Sequence, residues 1–471
     1  MTGPGKKEST ADVTDCRGVA VSYANTGAVA ALEQAHQAFL SFYGDPLAEI
    51  SLVIEEHPGF ILAHLFKAAC LTQLMEIRAL EDLVGAVESA EALSPTANER
   101  ELAHLAAVRA WITGDYFAAV ANWEKALDAN PHDLLALQLI HLTNVLFGDI
   151  VGQRDVVAGV YNLWHESIHG FEFVLGFYAF GLEENGDYER AEAMGRHSLK
   201  LLAENPYAIH AIVHIMEMQG RQAEGLRFMY ERIGLWTESD FAIHLWWHTA
   251  LLHLDLQEVD RVLEIYDEHL CSAVQDSSRY EEFDATALLW RLKLIGVDVG
   301  GRWCDLADKW EPAAQDTLYV FNDIKAMMAF VSDNREEAAH SLLAANENYV
   351  RHSAGVNVAV TRQVGLPIYS ALLDFHCERY TECVDYLLPI RHQTDCLGGS
   401  RAQRDIIGWT LLEAAIRSAR YDLALALANE RCELKPTSPQ HWFNLARVLD
   451  GQGKDDLAQE SRAKATALIS R

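Results

Sequence analysis

The chain has 471 residues, 50% of them hydrophobic, with only 11 prolines and 29 glycines; this supplies ample core and argues against long disordered tracts. Its 68 acidic residues outweigh 38 basic ones for a net charge of −30, which repels phosphate backbones and anionic lipid and so argues against nucleic-acid and membrane partners. No apolar run reaches the ~20 residues of a membrane-spanning helix.

The start, Met1 to Asp15, is polar and carries Lys6, Lys7, Glu8 and Asp12. It lacks an apolar stretch behind a basic end, so it does not read as a signal peptide, and a cytoplasmic protein is expected. Residues 1–27 are read as a polar tail, and residues 28–471 as a single helical domain. The eight cysteines are scattered without a Cys-x-x-Cys pair, which reads as free thiols in a reducing compartment.

From Ala28 to Leu93 the periodicity is helical, punctuated by His57-Pro58 and Ser94-Pro95. The clearest unit follows, from Glu101 to Pro131. Gly114 permits a tight turn between antiparallel helices, and Ala119 and Ala126 let them approach closely. Trp123 fills the groove between units, and Pro131 closes the second helix. A weaker unit lies around Phe147-Gly148-Asp149. Asn185-Gly186-Asp187-Tyr188 with Ala191 repeats the pattern and closes at Asn205-Pro206. Gln219-Gly220-Arg221, Asp333-Asn334-Arg335 with Ala338, Glu378-Arg379-Tyr380, Arg420-Tyr421-Asp422 with Ala424, and Gly451-Gln452-Gly453 with Ala458 mark further turns. Gly296 to Ala314 holds no marker and is expected to be irregular. These units resemble the tetratricopeptide repeat, a helix pair of about 34 residues. The fold expected is therefore all-α, a superhelix of helix pairs curled around a central pocket.

That resemblance implies that the first helix of each pair lines the concave surface, through its second, fifth, sixth, ninth and twelfth positions. Counting back from Gly220 places His210, His214 and Glu217 at the fifth, ninth and twelfth positions. Their i, i+4, i+7 spacing puts them on one helical face. His244 and His248 follow 34 residues after His210 and His214. A count from the later marker Tyr266 shifts them to the second and sixth positions, still on the groove side. Two neighbouring helices thus present four imidazoles and a carboxylate to one space. Histidine pairs at i, i+4 grip transition metals, with Glu217 as a further ligand or a general base. The same set also suits metal-free proton transfer. A third account is polar side chains satisfied inside a wide core. His165 and His169 form another i, i+4 pair, and His253 reads as structural.

A second set lies further along. Asn322 and Asp323 open a helix, with Asp323 facing the groove. Arg362 and Gln363 precede Val364-Gly365-Leu366-Pro367. Gly398-Gly399-Ser400-Arg401-Ala402-Gln403-Arg404-Asp405 is a glycine-rich turn into a helix, where backbone amides and Arg404 could hold a carboxylate or phosphate. It reads equally as an ordinary helix start capped by Ser400. The Gly-Lys-Ser/Thr ending of a P-loop is missing.

His210 to Met218, His244-Leu245-Trp246-Trp247-His248, Leu318 to Asp323, Val364 to Pro367, Leu387-Leu388-Pro389-Ile390-Arg391 and Gly398 to Asp405 together resemble the tetratricopeptide repeat protein 38 family, over nearly the whole chain. Met216 departs from that pattern, since animal members tend to carry another histidine there. The resemblance implies the fold and the suspect residues but no reaction. The leading expectation is a pocket for a small polar molecule or short peptide, with His210, His214, Glu217, His244 and His248 on one wall and Asp323, Arg362, Arg404 and Asp405 on the other, and Asn322 as a further ligand-binding candidate. His214, Glu217 and His248 are the candidates for acid–base work of hydrolase or lyase type. Alternatively, His210, His214, His244 and His248 hold a divalent transition metal that activates water. The rival is a non-catalytic scaffold for a protein partner.

Overall fold

The computed structural model describes residues 13–271 and 279–469. The chain forms two compact units. The first gathers Met1–Gln73, Arg78–Ile140 and Gly159–Phe171; the second gathers Leu74–Ile77, His141–Ala158 and Glu172–Arg471.

The first unit opens with a small antiparallel ribbon of β1 (Val13–Thr14) and β2 (Ala20–Val21). These residues were expected within a polar tail. Buried ion pairs hold them instead: Arg17 reaches Glu33 at 2.8 Å, and Arg100 meets Asp15 at 3.4 Å and Asp133 at 2.7 Å. Helices α1 (Thr26–Ser41), α2 (Pro46–Glu56), α3 (Ile61–Gln73), α4 (Leu80–Leu93), α5 (Glu99–Ile112) and α6 (Tyr116–Ala129) follow as antiparallel pairs. Ala119, Trp123 and Ala126 on α6 are buried, and Trp111 of α5 lies against Trp123 with ring centroids 6.2 Å apart. His165 and His169 lie in turns after a short 3-10 segment, not on a helix, so their spacing gives them no common face.

α7 (Leu134–Phe147), α8 (Ile150–Val160) and α9 (Phe171–Glu184) lead into the second unit. It continues with α10 (Tyr188–Leu201), α11 (Pro206–Met218), α12 (Gln222–Glu231), α13 (Ala242–Asp255), α14 (Val259–Ile265), α15 (Arg279–Leu294), α16 (Arg302–Trp310), α17 (Val320–Ser332) and α18 (Glu336–His352). After α19 (Val356–Val360) come α20 (Leu366–His376), α21 (Tyr380–Leu387), α22 (Arg401–Arg417), α23 (Tyr421–Leu434), α24 (Pro439–Gly451) and α25 (Asp455–Ile469). This is an α-solenoid of tetratricopeptide type. Its inter-helix turns use the left-handed region even where glycine is absent, at Asn334, Glu378 and Ala419 (φ 57–59°). The repeat geometry there outweighs a local cost of about 1 kcal/mol. The stretch expected to be irregular, Gly296 to Ala314, contains α16. Trp303, Leu306, Ala307 and Trp310 form its buried stripe, and the Trp310 indole donates to Thr286 at 2.9 Å.

Within this unit the array closes on itself. The inner helices α9, α11, α13 and α15 meet the start of α22 and the α23–α24 turn. The Trp290 indole donates to Thr410 at 2.9 Å. The Arg291 guanidinium donates to the Ala402 carbonyl at 2.5 Å. The Ser438 hydroxyl donates to Asp255 at 2.5 Å. Gly220 shows how close the approach is: at φ +68°, a Cβ there would lie 1.8 Å from Thr437 Oγ1.

Candidate functional site

α9, α11 and α13, successive inner helices, carry the site. The start of α11 is fixed by a buried cap. The Asn205 side chain accepts from the backbone of Tyr207 and Ala208, and its amide donates to Glu172 O and Ser198 Oγ at 2.8 and 2.9 Å. Pro206 is pre-set for the first turn. With that rotation set, His210, His214 and Glu217 share the inward face, and α13 presents His244 and His248 beside them.

His210, His244 and His248 meet through their Nε2 atoms, and a ring nitrogen of His214 joins them. His244 Nε2 lies 2.9 Å from His210 Nε2 and 3.2 Å from His248 Nε2. One ring nitrogen from each of the four residues lies within 4.8 Å of every other. His214 Nε2 is buried and has no hydrogen-bond partner among the described residues. Phe180, Phe241 and Trp247 pack around the rings with centroids 4.7–5.4 Å away. His248 and His214 are 0% and 1% exposed, whereas the His244 side chain keeps 15%. His244 is thus the most exposed of the four rings.

Carboxylates face the outer nitrogens. Asp284 Oδ2 is 2.6 Å from His244 Nδ1, Glu217 Oε2 is 3.4 Å from His248 Nδ1, and Glu183 Oε2 is 3.5 Å from His214 Nδ1. The short Asp284 contact orients the His244 ring, with Nδ1 toward Asp284 and Nε2 toward His210 and His248. Burial, and then the neighbouring imidazoles, hold His210 and His214 well below the ordinary imidazole range; burial, His244 and Arg291 do the same to His248. His210, His214 and His248 therefore offer neutral imidazoles to the shared space.

The surrounding charges are anchored. Glu184 accepts from the Arg401 backbone N–H at 3.0 and 3.1 Å, at the positive start of α22, and from the Arg404 guanidinium at 3.5 Å. Burial, and then its neighbour Glu184, push Glu183 well above the usual carboxyl range. Lys435 Nζ lies 3.6 Å from Glu217 and 3.3 Å from Asp255. Burial works against its charge, but Asp255 and Glu217 outweigh it and raise its pKa.

Of the residues singled out from the sequence, His210, His214, Glu217, His244 and His248 meet. Glu217, considered as ligand or base, faces the outer nitrogen of His248 and Lys435 rather than the converging Nε2 atoms. Arg404 joins only through Glu184, and it also donates to the Gly398 and Gly399 carbonyls. The Gly398–Asp405 turn is a capped helix start: Ser400 and Gln403 form a reciprocal capping box. Asp405 forms a bidentate pair with Arg431 at 2.7 and 2.8 Å; burial alone would raise its pKa, but Arg431 outweighs that and holds it well below the usual range. Asp323 accepts from Tyr369 at 3.4 Å, and burial pushes it up to about 7. Asn322 is half-buried beside it at the start of α17. Arg362 is exposed and donates to the Val350 carbonyl at 3.0 Å. Asp323, Arg362 and Asp405 do not form a facing wall, because each is committed to its own neighbours.

Sequence reasoning missed Glu183, Glu184, Asp284 and Lys435. Glu183 had a signal: it lies one 34-residue repeat before Glu217 and, like Glu217, faces the histidine 31 positions on. Asp284, 40 positions after His244, follows no repeat spacing.

No family model matches the chain. Similar solved structures include yeast Tom70, at 13% identity and a TM-score of 0.34, covering 94% of this chain and 95% of that one. Human IFIT1, solved as a dimer with PPP-AAAA, has 14% identity and a TM-score of 0.39, covering 94% and 100%. Naa15/Naa10 bound to HypK-THB has 13% identity and a TM-score of 0.25, covering 94% and 64%.

Proposed function

We propose that this protein binds a divalent late first-row transition ion through His210, His214, His244 and His248, and that the ion meets a small polar ligand on the His244 side. The observation that carries this reading is the convergence of four imidazoles, one ring nitrogen from each within 4.8 Å of every other, with acidic side chains behind the outer nitrogens. Two nitrogens bound to one tetrahedral ion at about 2.0–2.1 Å lie about 3.3 Å apart, and the observed separations are 2.9 and 3.2 Å. Lone pairs at such distances repel unless a proton or cation lies between them. An imidazole set without thiolate suits zinc, copper, nickel or iron. A carboxylate on Nδ1 orients the ring and strengthens the donor, which is the role assigned to Asp284.

Such an ion supplies Lewis acidity and an activated water, so a hydrolytic or lyase-type reaction is the activity proposed. A scaffold for a partner's peptide, the rival, rests on the fold alone. Elemental analysis of protein purified without an affinity tag decides the matter. About one equivalent of metal per chain is expected, lost in His248→Ala with helix content kept. Less than about a tenth of an equivalent, with none taken up on adding Zn2+, rejects the proposal.

A further inference from the structure

The structure carries a second carboxylate–histidine constellation beside the first, made by Glu183, Glu184 and His214. One ligand atom from each lies within 4.8 Å of the others, and all three residues are buried. Comparison of successive repeats gives it meaning. Glu183 and Glu217 hold equivalent places one repeat apart, each facing the Nδ1 of the next repeat's histidine, at 3.5 and 3.4 Å. At Glu217 a cation is supplied by the chain: Lys435 Nζ stands 3.6 Å away. At Glu183 no Lys or Arg side chain makes an ion pair among the described residues. Arg404 is spent on Glu184, at 3.5 Å, and on the carbonyls of Gly398 and Gly399. Glu183 shares a hydrogen bond with Glu184, but its Oε2 is buried, points toward His214 and has no hydrogen-bond partner among the described residues.

The distance also discriminates. At 3.5 Å the Glu183–His214 contact, like Glu217–His248 at 3.4 Å beside Lys435, exceeds the 2.7–3.2 Å of an N–H···O hydrogen bond, while Asp284–His244 in the same site is 2.6 Å. A carboxylate oxygen and an imidazole nitrogen bound to one tetrahedral ion at about 2.0–2.2 Å lie about 3.4 Å apart.

We infer that Glu183, Glu184 and His214 Nδ1 bind a second divalent transition cation, so that the His214 ring, with its Nε2 turned to the other histidines, bridges two metal ions. This rests on the four-histidine reading above. The second ion replaces the His214 ring proton and neutralises Glu183, as Lys435 neutralises Glu217 one repeat along.

The test is titration of metal-free full-length protein with Cu2+, followed by elemental analysis and electron paramagnetic resonance. Two equivalents are expected in the wild type and one in Glu183→Gln. The second equivalent should diminish the signal of the first, because two copper ions sharing an imidazolate couple magnetically. One equivalent in both proteins overturns the second site and leaves the four-histidine centre standing. Two equivalents with independent, additive signals overturn the bridge. No bound copper overturns both readings. Should Glu183→Gln lose its helical circular dichroism, Glu183→Ala and the wild-type coupling decide the outcome.

Discussion

The Nε2 atoms of His210 and His244 stand 2.9 Å apart, and the far nitrogen of His244 is held by Asp284 at 2.6 Å. This pairing makes the inner nitrogen of His244 a donor to whatever lies between the rings. Asp284 acts on that donor without touching the shared space. Replacing it by Asn keeps the shape and removes the charge. Asp284→Asn is expected to weaken metal binding by about 10- to 100-fold, read as the competing chelator concentration that strips half the metal. An unchanged affinity would show that Asp284 serves packing alone.

Lys325 on α17 is fully buried, with its ammonium 4.4 and 4.5 Å from the ring centroids of Phe321 and Phe283. It has no hydrogen-bond partner among the described residues. Burial, and then Arg291, hold its pKa well below the usual lysine range. Folding therefore carries a penalty that is absent above the unfolded value of about 10.4 and grows as pH falls towards the folded one. Lys325→Met is expected to raise stability at pH 7 by about 1–3 kcal/mol. That gain should shrink as pH rises from 7 to 10, measured by thermal melts. A destabilised variant at pH 7 would mean that the amine has a required role.

Asp323 obeys the opposite sign. Its folded pKa of about 7, raised by burial, exceeds the unfolded value of about 3.9. Its stability contribution is complete below that lower value and is lost as pH rises through 7. Asp323→Asn can still accept from Tyr369. It should melt a few degrees above the wild type at pH 8, and the difference should close as pH is lowered towards 4. A constant difference across that range would reject the titration of Asp323 as its cause.

Gly220 lies at φ +68°, with Thr437 against it. Gly220→Ala meets both left-handed strain and a collision, and is expected to cost about 1–3 kcal/mol. Adding Thr437→Gly should restore the part due to the collision but not the backbone part. Full recovery in the double variant would show that the conformation itself is not strained.

The helix pairs were legible from Gly114, Gly186, Gly220 and the alanines behind them, because a turn and a close helix crossing demand those residues locally. The recurrence of His210 and His214 at His244 and His248 was legible for the same reason. One repeat length returns the chain to the same face of the next inner helix, so periodicity is geometry. Glu183 obeys that rule too and could have been read from Glu217. Arg362 and Asp405 were assigned to the site on local pattern, and the structure gives them to Val350 and Arg431.

By itself, the sequence determined the helical repeat and the shared face of the four histidines, since both follow from spacing along one chain. Only the tertiary structure decided which nitrogen of each ring turns inward, that Asp284 stands behind His244, and that Glu184 meets Arg401 from 217 positions away. Those contacts arise where the array closes on itself. The angle at which it closes is the sum of many small rotations between packed helices, a quantity that no single motif records.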